Sequence, residues 1–329
     1  MSTRYDVVGI GNAIIDVISQ STDAFLEEEG IAKGGMTLID AQRADTLYAS
    51  MGPGIETSGG SAANTLAGCA ALGVSGGFIG RVRDDQLGEV YMHDIRAVGV
   101  DFTNSPATQG LPTARCLILV TPDGQRSMST FLGASTQLSV DDLDEDMIAS
   151  SAITYMEGYL WDKEPAKDAF LKAMEIARGA GRKVSLTLSD AFCVDMHRAE
   201  FLDLMSGKVD ILFANEAEIM SLFETQSFDE AVDAVRGKVP IAAITRSEKG
   251  ALILSEGGQD VIAAEPVDKV IDTTGAGDQF AAGFLAGLAQ GRSPAIAGRI
   301  GAVAAAEVIS HIGPRPQADV SALIAKALG

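Results

Sequence analysis

From Ser61 to the last residues, apolar runs of strand length alternate with helix-length segments, and this rhythm constrains the fold more than any other feature of the chain. Parallel strands must be joined by long crossovers, so the alternation implies a parallel sheet with helices on both faces. Strands inside such a sheet are buried on both sides and read as continuous apolar runs. Helical spacing occurs at 62–72, 86–97, 165–178 and 216–223. Strand-like runs occur at 77–80, 152–156, 184–188, 209–213, 241–245 and 251–254, and three Ala-rich helical stretches close the chain. Residues 7–10, ended by Gly11, read as a buried first strand. The expected fold is α/β, a doubly wound and mainly parallel sheet. With 329 residues, of which 47% are hydrophobic, the chain can fill one such domain over 1–329, and no internal repeat or linker divides it.

Two stretches interrupt the rhythm. Residues 16–19 and 36–39 alternate like strands of a small sheet, with an acidic short helix or loop at 23–30 between them. Residues 111–120 and 126–131 flank Thr121-Pro122-Asp123-Gly124, where proline sets φ and Asp-Gly tolerates a positive φ, so a hairpin is expected. Together 14–40 and 111–130 would form a small β lid inserted in the domain.

Charge narrows the partners. A net charge of −20 opposes nucleic acid and anionic membranes, which leaves a small molecule as the expected ligand. An anion such as ATP can still bind if local N–H groups, a few basic side chains and Mg2+ overrule the global field. Cys69, Cys116 and Cys193 are odd in number and set in apolar sequence, which fits reduced core thiols. Residues 1–5 enter a strand pattern with no leader-like run, and no apolar run reaches membrane-spanning length, so a cytoplasmic location is expected. His93, His197 and His311 lack ligand spacing. Gly9-x-Gly11 lacks the third glycine and following helix of a dinucleotide fingerprint, and 141–146 reads as a solvated helix start.

The strongest chemical signal is Asp272-Thr273-Thr274-Gly275-Ala276-Gly277-Asp278-Gln279-Phe280. Phe280, Phe284, Leu285 and Leu288 recur at helical spacing, which puts Gly275, Ala276 and Gly277 at a helix N-terminus. Free N–H groups and the helix dipole there suit a phosphate, and the small residues let it approach. Asp278 in the first turn can accept a proton from an incoming hydroxyl, or it can simply cap the helix.

Residues 272–278 resemble the carboxy-proximal signature of the ribokinase (PfkB) family of carbohydrate and nucleoside kinases. Ser58-Gly59-Gly60-Ser61-Ala62-Ala63-Asn64-Thr65 resembles its amino-proximal one, and Asn215-Glu216-Ala217-Glu218 has the family's Asn-x-x-Glu form. Residues 11–16, 188–192 and 209–216 are similar to the adenosine kinase branch. The resemblance implies a ribokinase-like fold and transfer of a phosphoryl group from ATP with Mg2+ to a primary hydroxyl, adenosine 5'-OH being the favoured acceptor. It implies Asp278 as the base, 275–277 as the anion hole, and Arg126 as a lid arginine over the phosphates. Asp16, Asn64 and Gly60 would hold ribose hydroxyls, supported by Asn12. Asn215 and Glu218 would organise phosphates and Mg2+. An ionised Asp beside an Asn suits a diol, since one accepts both hydroxyl hydrogens and the other donates and accepts. Ser61 is expected among the substrate-binding residues, capping the 62–72 helix and exposing N–H groups to the crevice.

The family's nucleotide loop is Thr-x-Gly-x-x-Gly, whereas here it is Thr245-Arg246-Ser247-Glu248-Lys249-Gly250. Ser247 departs from the pattern, while Arg246 or Lys249 remains free to meet phosphates. Some relatives hold a monovalent cation such as K+ near Asp272 and Thr274. Phe192, Leu38 and Trp161 would bracket a nucleobase; Trp161 and Tyr159 read equally as pocket wall or packing. Another nucleoside or a sugar such as ribose or fructose is the alternative acceptor, and a non-catalytic binder on the same fold is a third reading. A monomer or homodimer is expected.

Overall fold

The computed structural model describes residues 3–329; Met1 and Ser2 lie outside the described residues. The chain runs β1 (Tyr5–Ile10), β2 (Ile14–Gln20), α1 (Asp23–Glu28), β3 (Met36–Leu38), α2 (Ala41–Ser50), β4 (Gly54–Gly59), α3 (Ser61–Ala71), β5 (Gly76–Ile79), α4 (Gln86–Ala97) and β6 (Val100–Phe102). A hairpin of β7 (Ala114–Val120) and β8 (Arg126–Phe131) precedes α5 (Glu145–Ala149), β9 (Ser151–Glu157), α6 (Glu164–Gly179), β10 (Lys183–Thr187), α7 (Ala191–Met205), β11 (Ile211–Asn215) and α8 (Glu216–Leu222). Last come α9 (Phe228–Val235), β12 (Ile241–Thr245), β13 (Ala251–Ser255), β14 (Gly258–Ile262), α10 (Ala276–Ala289), α11 (Pro294–Val308) and α12 (Val320–Leu328).

A nine-stranded sheet in the order β14-β13-β12-β11-β10-β9-β1-β5-β6 forms the body. It is parallel from β12 to β6, and only β13 and β14 turn back antiparallel. Alternate residues point to opposite faces, so each strand feeds two cores. Ile211 and Phe213 of β11 join one with Phe78, Tyr91, Phe280 and Phe284, while Leu212 and Ala214 join the other with Phe170 and Phe201. Winding proceeds outward from β1 in both directions, which places the topological switch between β1 and β9. Ligands of such sheets bind outside the strand carboxyl ends at that point.

A second, five-stranded sheet has the order β3-β8-β7-β2-β4. Four of its strands fall in the interruptions at 14–40 and 111–130, β8 running one residue beyond the second. The fifth, β4, lies outside them and pairs antiparallel with β2, Asp16 standing opposite Thr57.

Several local expectations change. Trp161 is 3% exposed and packs against Phe170 and Phe201 in the core, with its Nε1 donating to Glu200 at 2.7 Å, so it walls no crevice. The acid run at 141–146 is split: Asp142 ends a 3-10 turn and pairs with Arg81 at 2.7 Å, and Asp144 caps α5. Cys69 and Cys116 are buried and Cys193 is half-buried, all three free, with burial pushing each thiol up to about 12. No helix among the described residues is long and apolar enough to cross a membrane.

Candidate active site

Site residues gather at the carboxyl ends of the parallel strands. Gly275 is the N-cap of α10 with φ +78, and a Cβ there would lie 2.6 Å from Pro314 Cα, so only glycine fits. At Gly277 an added Cβ would meet nothing within 4 Å: the space before the helix terminus is open. The N–H groups of Gly277 and Asp278 lie in the first turn, where no intrahelical carbonyl is available. Asp278 Oδ1 accepts from Ser61 Oγ at 2.6 Å and Oδ2 from Asn64 Nδ2 at 3.4 Å. Loss of solvation pushes its carboxyl up to about 6 against these two donors.

The Gly59-Gly60 pair brings α3 against the first loop. A Cβ on Gly59 would lie 2.4 Å from Asp16 Oδ2, and one on Gly60, whose φ is +101, would lie 2.1 Å from Asn12 O. Gly60 itself is the N-cap of α3, which corrects the expectation for Ser61. Ser61 stands at the first helical position, free to turn its hydroxyl onto Asp278. Asp16 is 9% exposed on β2, and its carboxylate accepts no hydrogen bond from a described residue. Burial pushes it up to about 7, with Arg315 and Arg126 pulling the other way. Asn12 Oδ1 is buried without a partner, an acceptor left open toward any ligand.

Two residues at this centre escaped the sequence reading. Glu157, fully buried at the end of β9, accepts from Asn12 N and Ala62 N at 2.7 Å each, and burial raises it to about 7. It fastens the loop after β1 to the start of α3. Arg315, beyond α11, donates to Asn64, Asp94 and Ser58. The only signal for Glu157 was an acid at a strand end, and Arg315 carried none.

On the second sheet's side, Arg126 Nη2 pairs with Asp272 Oδ2 at 2.9 Å and Nη1 donates to Thr274 Oγ1 at 3.1 Å, both charged side chains being nearly buried. Arg126 thus spans from β8 to the loop that leads into Gly275.

Further along the sheet, Asn215 and Thr245 are register partners at the ends of β11 and β12. Asn215 and Glu218 form a capping box: Asn215 Oδ1 accepts from Glu218 N at 2.8 Å, and Glu218 Oε2 accepts from Asn215 N at 3.0 Å. Burial raises Glu218 to about 7. It is Glu216, not Glu218, that faces the basic pair, accepting from Arg246 at 3.2 Å and Lys249 at 3.4 Å. Arg246 also lies 3.8 Å over the Phe228 ring. Ser247 adopts φ +51, so the loop takes a left-handed turn despite its serine, and Gly250 at φ +81 passes where a Cβ would meet Ile262 O at 2.0 Å.

Phe192 is 66% exposed at the start of α7 and Leu38 is 58% exposed on β3; no ring contact or hydrogen bond joins either to Asp16 among the described residues. Tyr159 is 41% exposed in the 3-10 turn after β9, and loss of solvation at its phenol, then the carboxylates of Asp190 and Asp278, raise its pKa. No group of three or more His, Cys, Asp or Glu among the described residues is disposed to hold a metal ion by itself.

Solved structures match over nearly the whole chain. A probable sugar kinase protein from Rhizobium etli is 50% identical with a TM-score of 0.91, covering 99% of both chains. An adenosine kinase from Sinorhizobium meliloti is 49% identical with a TM-score of 0.91, covering 99% of this chain and 100% of its own. Adenosine kinase of Saccharomyces cerevisiae is 26% identical over 94% of this chain and 96% of its own. The family model of the pfkB carbohydrate kinases matches residues 31–320, and with the glycine-framed acid at 278 in place, the chain belongs to the pfkB family of carbohydrate kinases.

Proposed function

We propose that this phosphotransferase moves the γ-phosphoryl group of ATP to the 5'-hydroxyl of adenosine, with Asp278 as the base. The observation that carries the reading is Asp278 itself, a carboxylate raised to about 6, steadied by Ser61 and Asn64 and set in the first turn behind an open helix terminus. Asp278 accepts the hydroxyl proton as the acceptor oxygen bonds to phosphorus and the bond to the bridging oxygen of ADP breaks. The 275–277 backbone and Arg126 stabilise the charge that develops on the phosphoryl oxygens. Asp16, Asn12, Gly60 and Asn64 hold the ribose, and the unpartnered Asp16 carboxylate and Asn12 Oδ1 fit a diol.

Family membership implies ATP as donor with Mg2+. Thr245, Arg246, Lys249, Gly250 and Thr274 would hold the nucleotide, with Asn215 and Glu218 toward the metal, which supplies counter-charge for the phosphates when bound. Because both Glu218 oxygens already serve the capping box, that residue fits a metal held through water. The five-stranded sheet acts as a lid over the crevice, keeping water from the γ-phosphate.

Adenosine is favoured by the similarity of 11–16, 188–192 and 209–216 and by the Sinorhizobium meliloti enzyme's name. A sugar acceptor is the second reading, favoured by the burial of Trp161, which removes one of three residues suited to bracket a base. ADP release with Mg2+ across a panel of nucleosides, ribose and fructose decides between them. Adenosine should give the highest kcat/KM; a sugar ahead of every nucleoside would replace it. Asp278→Asn should lose on the order of 100-fold or more in kcat while calorimetry still detects acceptor binding. Turnover within about tenfold of the native protein would remove Asp278 as the base.

A further inference from the structure

We infer that Arg315 is a positioning residue for the acceptor, acting through Asn64; this rests on the kinase reading above. Arg315 lies in Gly313-Pro314-Arg315-Pro316, after α11, where the two prolines restrict the backbone on either side. Its side chain is 15% exposed and every arm of the guanidinium is used. Nε donates to Asn64 Oδ1 at 3.2 Å, Nη1 to Asp94 Oδ2 at 3.1 Å and Nη2 to Ser58 Oγ at 2.8 Å. Asp94 on α4 also accepts from Ser58 N at 2.8 Å and Thr57 Oγ1 at 3.2 Å. One planar fork therefore ties the carboxy-terminal segment to α3, to α4 and to β4 of the second sheet.

The consequence falls on Asn64. An amide can present either its oxygen or its nitrogen to Asp278, and the two faces have nearly the same shape. Arg315 has only donors, so it claims Oδ1 and leaves Nδ2 turned to Asp278 Oδ2. Without Arg315 the amide can flip and set its carbonyl against the carboxylate, acceptor facing acceptor. Gln279 holds the backbone of the same pieces together, its Nε2 donating to Asn64 O at 3.0 Å and Pro314 O at 2.9 Å. The positive charge also faces Asp16, which otherwise faces Arg126 and Asp278. Arg315 thus acts on two of the groups that would receive the sugar, Asn64 and Asp16.

The test compares Arg315→Met and Arg315→Lys with the native chain, using circular dichroism as the control for folding. For Arg315→Met, kcat/KM for the acceptor should fall on the order of 10- to 100-fold while KM for ATP stays within about twofold. The acid limb of its pH profile should move to higher pH, since Asp16 loses a neighbouring cation. Arg315→Lys keeps the charge without the fork, so it should restore the acid limb and not the acceptor KM; it carries the same test if the methionine variant melts. In a double-mutant cycle Arg315→Met should add little to Asn64→Ala. Additive losses, equal damage to ATP and acceptor KM, or an unshifted acid limb would each overturn the assignment. A native protein with no acceptor-dependent ADP release would instead overturn the kinase reading, and this inference with it.

Discussion

Asp278 and Asp16 are pushed up to about 6 and about 7 because burial costs their charged forms more than their partners return. The base and the diol acceptor both work ionised, so acceptor kcat/KM should fall as pH drops below about 7, measured by steady-state ADP release. Stability runs the other way. A carboxyl that holds its proton more tightly folded than unfolded stabilises the fold below its ordinary pKa and loses that contribution as pH rises through the folded value. For Asp278 the window runs from 3.8 to about 6. Above it the native protein carries an ionised buried carboxylate at some cost, so Asp278→Asn should melt at a higher temperature than the native chain near neutral pH. The gap should shrink toward pH 4, and a variant that melts lower throughout would sink the idea. The glycine-rich turn singled out Asp278 and the family resemblance singled out Asp16; the burial that shifts them depends on how α3 and β4 pack around them.

At the scale of one helix, α10 separates two glycines that look equivalent in the motif. Gly275 needs its positive φ and its contact with Pro314, so Gly275→Ala should destabilise by about 1–3 kcal/mol. Gly277 has helical neighbours and open space beside it, so Gly277→Ala should keep or raise stability, by up to about 1 kcal/mol, through alanine's better helix propensity. The same methyl would occupy the phosphate's approach and lower kcat/KM for ATP. Thermal melts with initial rates on both variants check this; an active Gly277→Ala enzyme would mean the anion sits elsewhere. Elements were legible where local pattern was strong, as for α4, whose bounds match the reading of 86–97. Helix α7 went unread because it is kinked at His197, where φ −124 breaks the helical repeat of apolar positions. Strands β4 and β14 went unread because they are edge strands that are mostly polar, Gly-Ile-Glu-Thr-Ser-Gly and Gly-Gln-Asp-Val-Ile, without the apolar run that marks a strand buried on both faces.

Across the whole molecule, the five-stranded sheet is tied to the loop before α10 by Arg126 and Asp272 and to α3, α4 and the carboxy-terminal segment by the Arg315 fork, so ligand bound in the crevice should hold it to the body. Saturation with adenosine and a non-hydrolysable ATP analogue, each at about 100 times its Kd, should stabilise by about 2.7 kcal/mol per ligand and slow hydrogen exchange in β4, β7 and β8. Exchange that slows only in the nine-stranded sheet would argue against a closing lid. Read alone, the sequence determined the parallel α/β body, the hairpin around 121–124 and the small-residue helix start at 275–277, because periodicity and backbone freedom are set by near neighbours in the chain. Only tertiary structure decided which acids lose their water and which partners they meet. Glu157 reaches Asn12 across 145 residues, and Arg315 reaches Asn64 across 251. Such pairings leave no local trace, since a hydrogen bond between distant segments exists only once the core has packed them side by side.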